Sequence, residues 1–157
     1  MKAEHDTKLA AMLRTLRVAG LATLHDGAPQ VSMVAFVVAD DFQAFYIHVS
    51  GLARHTRDMM ADSRVSLIII ETDDGRPDPG TLARISILGE ASPVAPEDTD
   101  FEQAKNRYLK RFPESAMLFR FRDFGLWRIT PKSARFVAGF AQAFNLTPDA
   151  LKRVSQS

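Results

Sequence analysis

The sequence predicts a mainly β fold with α-helices (α+β), in which six or seven antiparallel strands close into a small barrel. Two observations predict it. Short β-rich runs follow one another across tight turns, and helical patterns occur only at the start, the middle and the end of the chain. Strands linked by short turns form antiparallel sheets, and a sheet of this size with continuous apolar strands closes economically into a barrel.

The first third of the chain is expected to contain one helix and three strands. Apolar side chains at helical spacing predict an amphipathic helix over residues 3–17. An Asp-Gly turn between the β-rich runs 21–24 and 30–38 predicts a hairpin. A third strand at 42–49 follows another short turn. These three strands are therefore expected to form an antiparallel meander.

Helical and strand patterns also alternate in the rest of the chain. We expect a single domain over 1–157, with a core from about 10 to 144. Thr147-Pro148 is typical of a helix N-cap and first position. The predicted elements are a short basic helix at about 52–61, strands at 64–70 and 82–91, a helix that opens at Pro96, a helical piece at 114–121, strands at 124–130 and 134–138, and a C-terminal helix at about 147–155.

Composition narrows the class of protein. The 157 residues are 46% apolar and 25% charged, with a net charge of +1. That charge is far from the basic excess of nucleic-acid-binding proteins, so no nucleic-acid partner is expected. Cysteine is absent, which excludes disulfides and thiolate metal sites. No apolar run is long enough to cross a bilayer, and the polar N-terminus does not resemble a signal peptide, so we expect a cytoplasmic protein without a membrane partner.

The segment from Val49 to Arg57 is the strongest candidate for a binding site. A strand ends at Ser50-Gly51 and is followed by a helix whose first turn carries Arg54, His55, Thr56 and Arg57. Helix starts expose unpaired N–H groups and the positive end of the helix dipole, which suit a phosphate. The alternative interpretation is a solvated helix with incidental arginines, and the residues alone leave both open.

Two further segments have a structural and a functional interpretation. The apolar strand at 31–36, with Met33, Val34 and Ala35, either fills the core or presents backbone groups to a flat heterocycle. Arg84 stands in an otherwise apolar strand, and it must point outward or meet an anion because unpaired burial of a charge is costly.

The sequence indicates no metal site and no catalytic residue of its own. The four histidines have no metal-ligand spacing, and the nucleophile elbow, the Walker loop and the dinucleotide fingerprint are all missing.

Several segments together resemble the pyridoxamine 5′-phosphate oxidase-like, FMN-binding split β-barrel superfamily, specifically its haem-utilisation-related branch. The resemblance covers about residues 10–144, and the matching pieces occur in the family's order. They are Gly20–Leu24, Pro29–Val34, Ser50–Thr56, Asp62–Leu67 and Arg135–Phe140.

The resemblance implies a split β-barrel that forms a homodimer with FMN at the subunit interface. It implies that Arg54, His55 and Thr56 bind the phosphate, with Val49, Ser50 and Arg57 nearby. The strand of Met33, Val34 and Ala35 would line the isoalloxazine ring, and Arg84 would lie near the flavin from the partner chain.

The chain also departs from the family's pattern. It lacks the C-terminal Arg-x-His motif of the vitamin B6 oxidase, and no histidine follows His55 to help hold haem as in several relatives. The leading hypothesis is therefore an FMN-dependent oxidoreductase that acts on an unknown small molecule. The alternatives are a haem-binding or haem-degrading protein on the same fold, and a non-catalytic FMN-binding module.

Overall fold

A computed structural model describes residues 1–157 and contains one curled antiparallel sheet. Its strands are β1 (Val18–His25), β2 (Ala28–Ala35), β3 (Val37–Val38), β4 (Phe45–Ser50), β5 (Arg64–Ile70), β6 (Arg84–Val94), β7 (Phe124–Gly139) and β8 (Gln142–Leu146). They are ordered β2-β1-β5-β6-β7-β4-β3, and β8 pairs with β7. The mainly β fold with flanking helices is as predicted.

Four α-helices and two 3-10 segments flank the sheet. The helices are α1 (Ala3–Thr15), α2 (Arg54–Ala61), α3 (Phe101–Arg111) and α4 (Pro148–Val154), and the 3-10 segments are Pro79–Thr81 and Pro113–Arg120. The predicted N-cap of α4 is present, because the Thr147 hydroxyl accepts a hydrogen bond from the Ala150 N–H at 3.2 Å. None of the helices combines the length and the apolar composition that spanning a membrane requires.

The predicted meander is present only in part, because the predicted second strand (30–38) divides at Phe36 into β2 and β3. β1 and β2 form the expected hairpin, but β4 pairs with β3 and β7 and not with β2. Short connections predict neighbouring strands only as a tendency, and here the chain leaves the hairpin to begin the other end of the sheet.

The last two predicted strands are one 16-residue strand, β7. Pro131 lies opposite Gly89 where the pairing of β6 with β7 shifts register, so the proline falls at a bulge, where a missing N–H is tolerated. A Cβ on Gly89 would lie 2.7 Å from the Thr130 carbonyl oxygen, so only glycine fits there. Strand β8 was not among the predicted strands.

Two apolar clusters lie on opposite sides of β4. Phe45 and Ile47 point into the main core inside the sheet, where α1, α4 and the inner faces of the other strands also pack. Tyr46 points the opposite way into a second cluster beneath α3, which contains Ala104 and Tyr108 of the helix and Phe112 just after it. This alternation along β4 determines which side chains face the candidate site.

Candidate functional site

A cavity of about 670 Å³ lies outside β4, between the ends of β2 and α3 and the start of α2. Its volume falls in the range of small-molecule and cofactor sites. Its wall is mainly apolar and aromatic, and includes Val18, Met33, Tyr108, Phe112 and Phe124. Its basic side chains are Arg17, His48 and His55.

Six of the residues predicted to bind a cofactor line this cavity. They come from two predicted segments that are distant in sequence, and they meet because β2 and β4 both end beside the start of α2. The six are Met33, Val34, Ala35, Val49, Ser50 and His55. The structure thus brings the apolar strand and the strand-to-helix segment together.

The other four predicted residues lie outside the cavity wall. Arg54 and Arg57 are exposed on α2. Thr56 is buried, and its hydroxyl donates to the Ser50 carbonyl oxygen at 2.6 Å, which anchors α2 to β4. Arg84 is the first residue of β6, in the middle of the sheet, and its guanidinium donates to the carbonyl oxygens of Gly80 and Leu82, each at 3.0 Å.

Sequence reasoning missed His48, a buried histidine in the cavity wall. Its ring stacks on Phe119 with ring centres 3.7 Å apart and planes 3° apart, and Tyr108 and Phe124 pack around it. No hydrogen bond is made by either ring nitrogen, and Nδ1 is fully enclosed. The alternation in residues 45–50 gave a usable signal, since it places His48 on the face opposite to Phe45 and Ile47.

Burial keeps both histidines of the cavity in their neutral form. It lowers the pKa of His48 to about 4. Burial also lowers the pKa of His55, although the Asp58 carboxylate partly opposes that shift. The Nε2 atom of His55 is enclosed and has no hydrogen-bond partner. Neutral imidazoles are the form that binds metal ions.

Positive charge is concentrated at one side of the cavity. The guanidinium of Arg17 lies over the Phe112 ring, 5.0 Å from its centre. Arg111 is next to Phe112, and burial together with the charge of Arg17 lowers its pKa. Arg111 also lines a neighbouring cavity of about 380 Å³ with Arg14, Arg107 and Lys110. The main cavity therefore combines an apolar interior with a cationic rim, which suits a flat ligand that carries acidic groups.

A curled antiparallel sheet with such a cavity outside one strand is typical of a ligand-binding split β-barrel protein. The chain belongs to the pyridoxamine 5′-phosphate oxidase family, whose model matches residues 6–138. The family predicted from the sequence segments is therefore confirmed.

Its relatives in sequence are named for haem. The chain is similar to a chloroplastic heme oxygenase, HOZ, of Arabidopsis thaliana, with 36% identity over 76% of this chain and 35% of that protein. It is also similar to the heme oxygenase HutZ of Vibrio cholerae, with 30% identity over 83% of this chain and 74% of that protein. The chain thus spans about a third of the length of the chloroplastic relative.

Solved structures agree with the sequence relatives. A heme binding protein from Mycobacterium smegmatis superposes with a TM-score of 0.82 and 27% identity, over 96% of this chain and 60% of that one. The structure of HutZ, described as a heme storage protein, gives a TM-score of 0.73 and 26% identity, over 83% of this chain and 91% of that one.

The prediction of FMN as the cofactor, and of an FMN-dependent oxidoreductase, is therefore wrong. The relatives that overturn it bear names that refer to haem, so they support the alternative hypothesis of a haem protein on this fold. Basic side chains beside a flat apolar surface suit any planar ligand with an acidic tail. A haem carries carboxylates where FMN carries a phosphate, so the residues alone did not separate the two ligands.

Proposed function

We propose that this protein binds haem in the 670 Å³ cavity outside β4. The observation that carries the proposal is the pair of histidines in the cavity wall, His48 and His55, each with an enclosed ring nitrogen that has no hydrogen-bond partner. Buried polar atoms in native proteins nearly always have a partner, so an unpaired neutral imidazole in an apolar cavity fits a metal-containing ligand. The haem-binding relatives support the same ligand.

The cavity wall fits the other parts of a haem. The side chain of Met33 offers apolar surface for the porphyrin, together with the rings of Tyr108 and Phe124. Val34 and Val49 border the cavity, but their side chains pack in the main core. Arg17 at the rim is the cation that would face the propionates. Ser50, Ala35 and His55 complete the wall.

We further propose that the protein is a homodimer. An outer face of the sheet, on β1, β2, β5 and β6, carries the exposed apolar side chains Val18, Val31, Met33, Ile68, Ile70 and Leu88. Val31 and Met33 are 76% and 72% exposed, and a continuous apolar face of this kind usually marks an interface. Val18 and Met33 belong both to this face and to the cavity, so a second copy on the face would also cover one side of the haem.

Haem degradation is a second candidate function, favoured by the two relatives named heme oxygenases. Bound haem would supply an iron that binds and activates O₂. The cavity's own side chains would hold the ligand and keep water away from it. Incubation of the haem complex with a reductant in air tests this activity, because degradation would bleach the Soret band and release iron. A cytoplasmic location remains a proposal that fractionation of the native cells tests.

Titration with haemin tests the binding site. Wild-type protein is expected to give a shifted Soret band that saturates at one haem per protomer. Ala53 lies in the cavity wall, so Ala53→Trp should fill the cavity and weaken binding at least tenfold. Ala11→Trp, on the exposed side of α1, is the matched control and should bind normally. A wild-type protein without saturable binding, or equal affinities for the two tryptophan variants, would contradict the proposal.

A further inference from the structure

His48 occupies a distinctive position among the four histidines of the chain. Besides the 670 Å³ cavity, it lines a second cavity of about 360 Å³, which is bounded by Phe101, Phe119 and the start of β7. His48 therefore forms part of the partition between the two cavities.

Burial of the His48 imidazole has a free-energy cost, because no hydrogen bond from the protein compensates for the water that its ring loses. Only 9% of His48 is exposed, and its enclosed Nδ1 atom has no hydrogen-bond partner. Leaving a polar group buried and unpaired is unfavourable. Three surrounding aromatic rings and the backbone of β4 fix the orientation of the imidazole. A rigid, unpaired donor atom on a strand is preorganised for a ligand that is not a protein group.

The other histidines are poorer candidates for that role. His5 and His25 do not line the cavity, and Nδ1 of His25 is hydrogen-bonded to Asp58 at 2.7 Å. His55 does line the cavity, but it lies in the first turn of the eight-residue helix α2, without a stacked ring to hold it.

We infer that His48 is the residue that ligates the haem iron. The inference rests on the proposed haem site and goes further by assigning the iron ligand to a strand residue beneath α3. Because Nδ1 is enclosed, Nε2 of His48 would donate its lone pair to the iron, while Phe119 would act as a positioning residue that holds the imidazole plane.

Spectra of the ferric haem complex test the assignment. Wild-type protein should show the optical and electron paramagnetic resonance signature of imidazole-ligated haem. His48→Ala and His48→Phe should both lose that signature and bind haem about tenfold more weakly. Free imidazole should restore it in His48→Ala, where the side-chain volume is vacated, but not in His48→Phe, where a ring fills that volume. His5→Ala, which lies outside the cavity wall, is the matched control and should keep the wild-type spectrum, whereas His55→Ala tests the other histidine of the wall as the rival ligand.

If the His48 variants do not fold, a variant that retains His48 as its only histidine still tests the assignment. The triple substitution His5→Gln, His25→Gln and His55→Gln should still give the imidazole-ligated spectrum. Loss of the signature in this triple variant, its loss in His55→Ala, or its retention in His48→Ala and His48→Phe would overturn the assignment. Absence of any haem complex in the wild type would instead refute the proposed function.

Discussion

The Nδ1 atom of His25 lies 2.7 Å from Oδ1 of Asp58, so the end of β1 is joined to the middle of α2. The other carboxylate oxygen of Asp58 accepts a hydrogen bond from the Thr23 hydroxyl at 2.9 Å. Burial opposes ionisation of Asp58, but the hydrogen bonds from His25 and Thr23 outweigh it and lower the pKa of the carboxyl. Because α2 also carries His55, this contact helps to position one wall of the cavity.

Asp58→Asn should destabilise the protein and change its response to acid. A carboxyl whose pKa is lowered by folding contributes stability above its unfolded pKa, about 3.9, and loses it as the pH falls through the folded value. The midpoint of urea unfolding should therefore fall less between pH 5 and pH 3 in Asp58→Asn than in the wild type. Parallel acid curves for the two proteins would contradict this role. Asp149→Asn, on the exposed side of α4, is the control.

His48 should make the stability of the apoprotein depend on pH in a higher range than Asp58 does. Its folded pKa of about 4 lies below the unfolded value of 6.5, so the unfolded chain binds a proton first as the pH falls. Its contribution is complete above pH 6.5 and is lost towards pH 4, by about 3 kcal/mol. His48→Phe should lack this loss, which urea unfolding at pH 7 and pH 4.5 measures. His55→Gln corrects for the smaller effect in the same direction from His55.

Thr56→Val should lower the free energy of unfolding by about 1 kcal/mol, because it removes the hydrogen bond to the Ser50 carbonyl oxygen. Thr56→Ser keeps the hydroxyl and should retain most of the stability. Chemical denaturation of the three proteins measures the difference. If Thr56→Val were as stable as the wild type, the anchoring of α2 to β4 through this hydroxyl would be excluded.

Arg17→Ala should weaken haem binding about tenfold, or ~1.4 kcal/mol, because it removes the cation that is proposed to face the propionates. Arg17→Lys keeps the charge and should lose less. Arg153→Ala removes an exposed arginine from α4 and serves as the control. Haemin titrations monitored at the Soret band give the three affinities, and a normal affinity for Arg17→Ala would remove Arg17 from the site.

Val31→Glu should convert the proposed homodimer to a monomer, because it places a charge in the middle of the apolar outer face. Light scattering after gel filtration measures the mass of each protein. Met117→Glu adds the same charge at a residue that is 66% exposed on the 3-10 segment, away from that face, and should leave the dimer intact. A monomeric wild type, or a dimeric Val31→Glu, would contradict the proposed interface.

Local patterns predicted much of the fold and part of the site. The break at Ser50-Gly51 located the start of α2, and apolar alternation located most strands. The pairing of β4 with β7 was not predictable, because these strands are far apart in the sequence and local patterns do not indicate which distant strands pair. His48 was missed for a related reason: its aromatic neighbours, Tyr108 and Phe119, come from α3 and the following 3-10 segment. The identity of the ligand was also beyond local patterns, since cations and apolar strands suit more than one planar anion.

The pairing of β4 with β7 also determines how the chain must fold as it is synthesised. Residues 45–50 leave the ribosome more than seventy residues before their long partner strand. Until residue 124 has emerged, the core-facing side chains Phe45, Ile47 and Val49 have no long neighbouring strand to hold them in place. A strand pair between distant segments forms slowly, and until it forms the apolar side chains of β4 stay exposed and prone to aggregation. Shielding by a chaperone during that interval would therefore raise the yield of native protein.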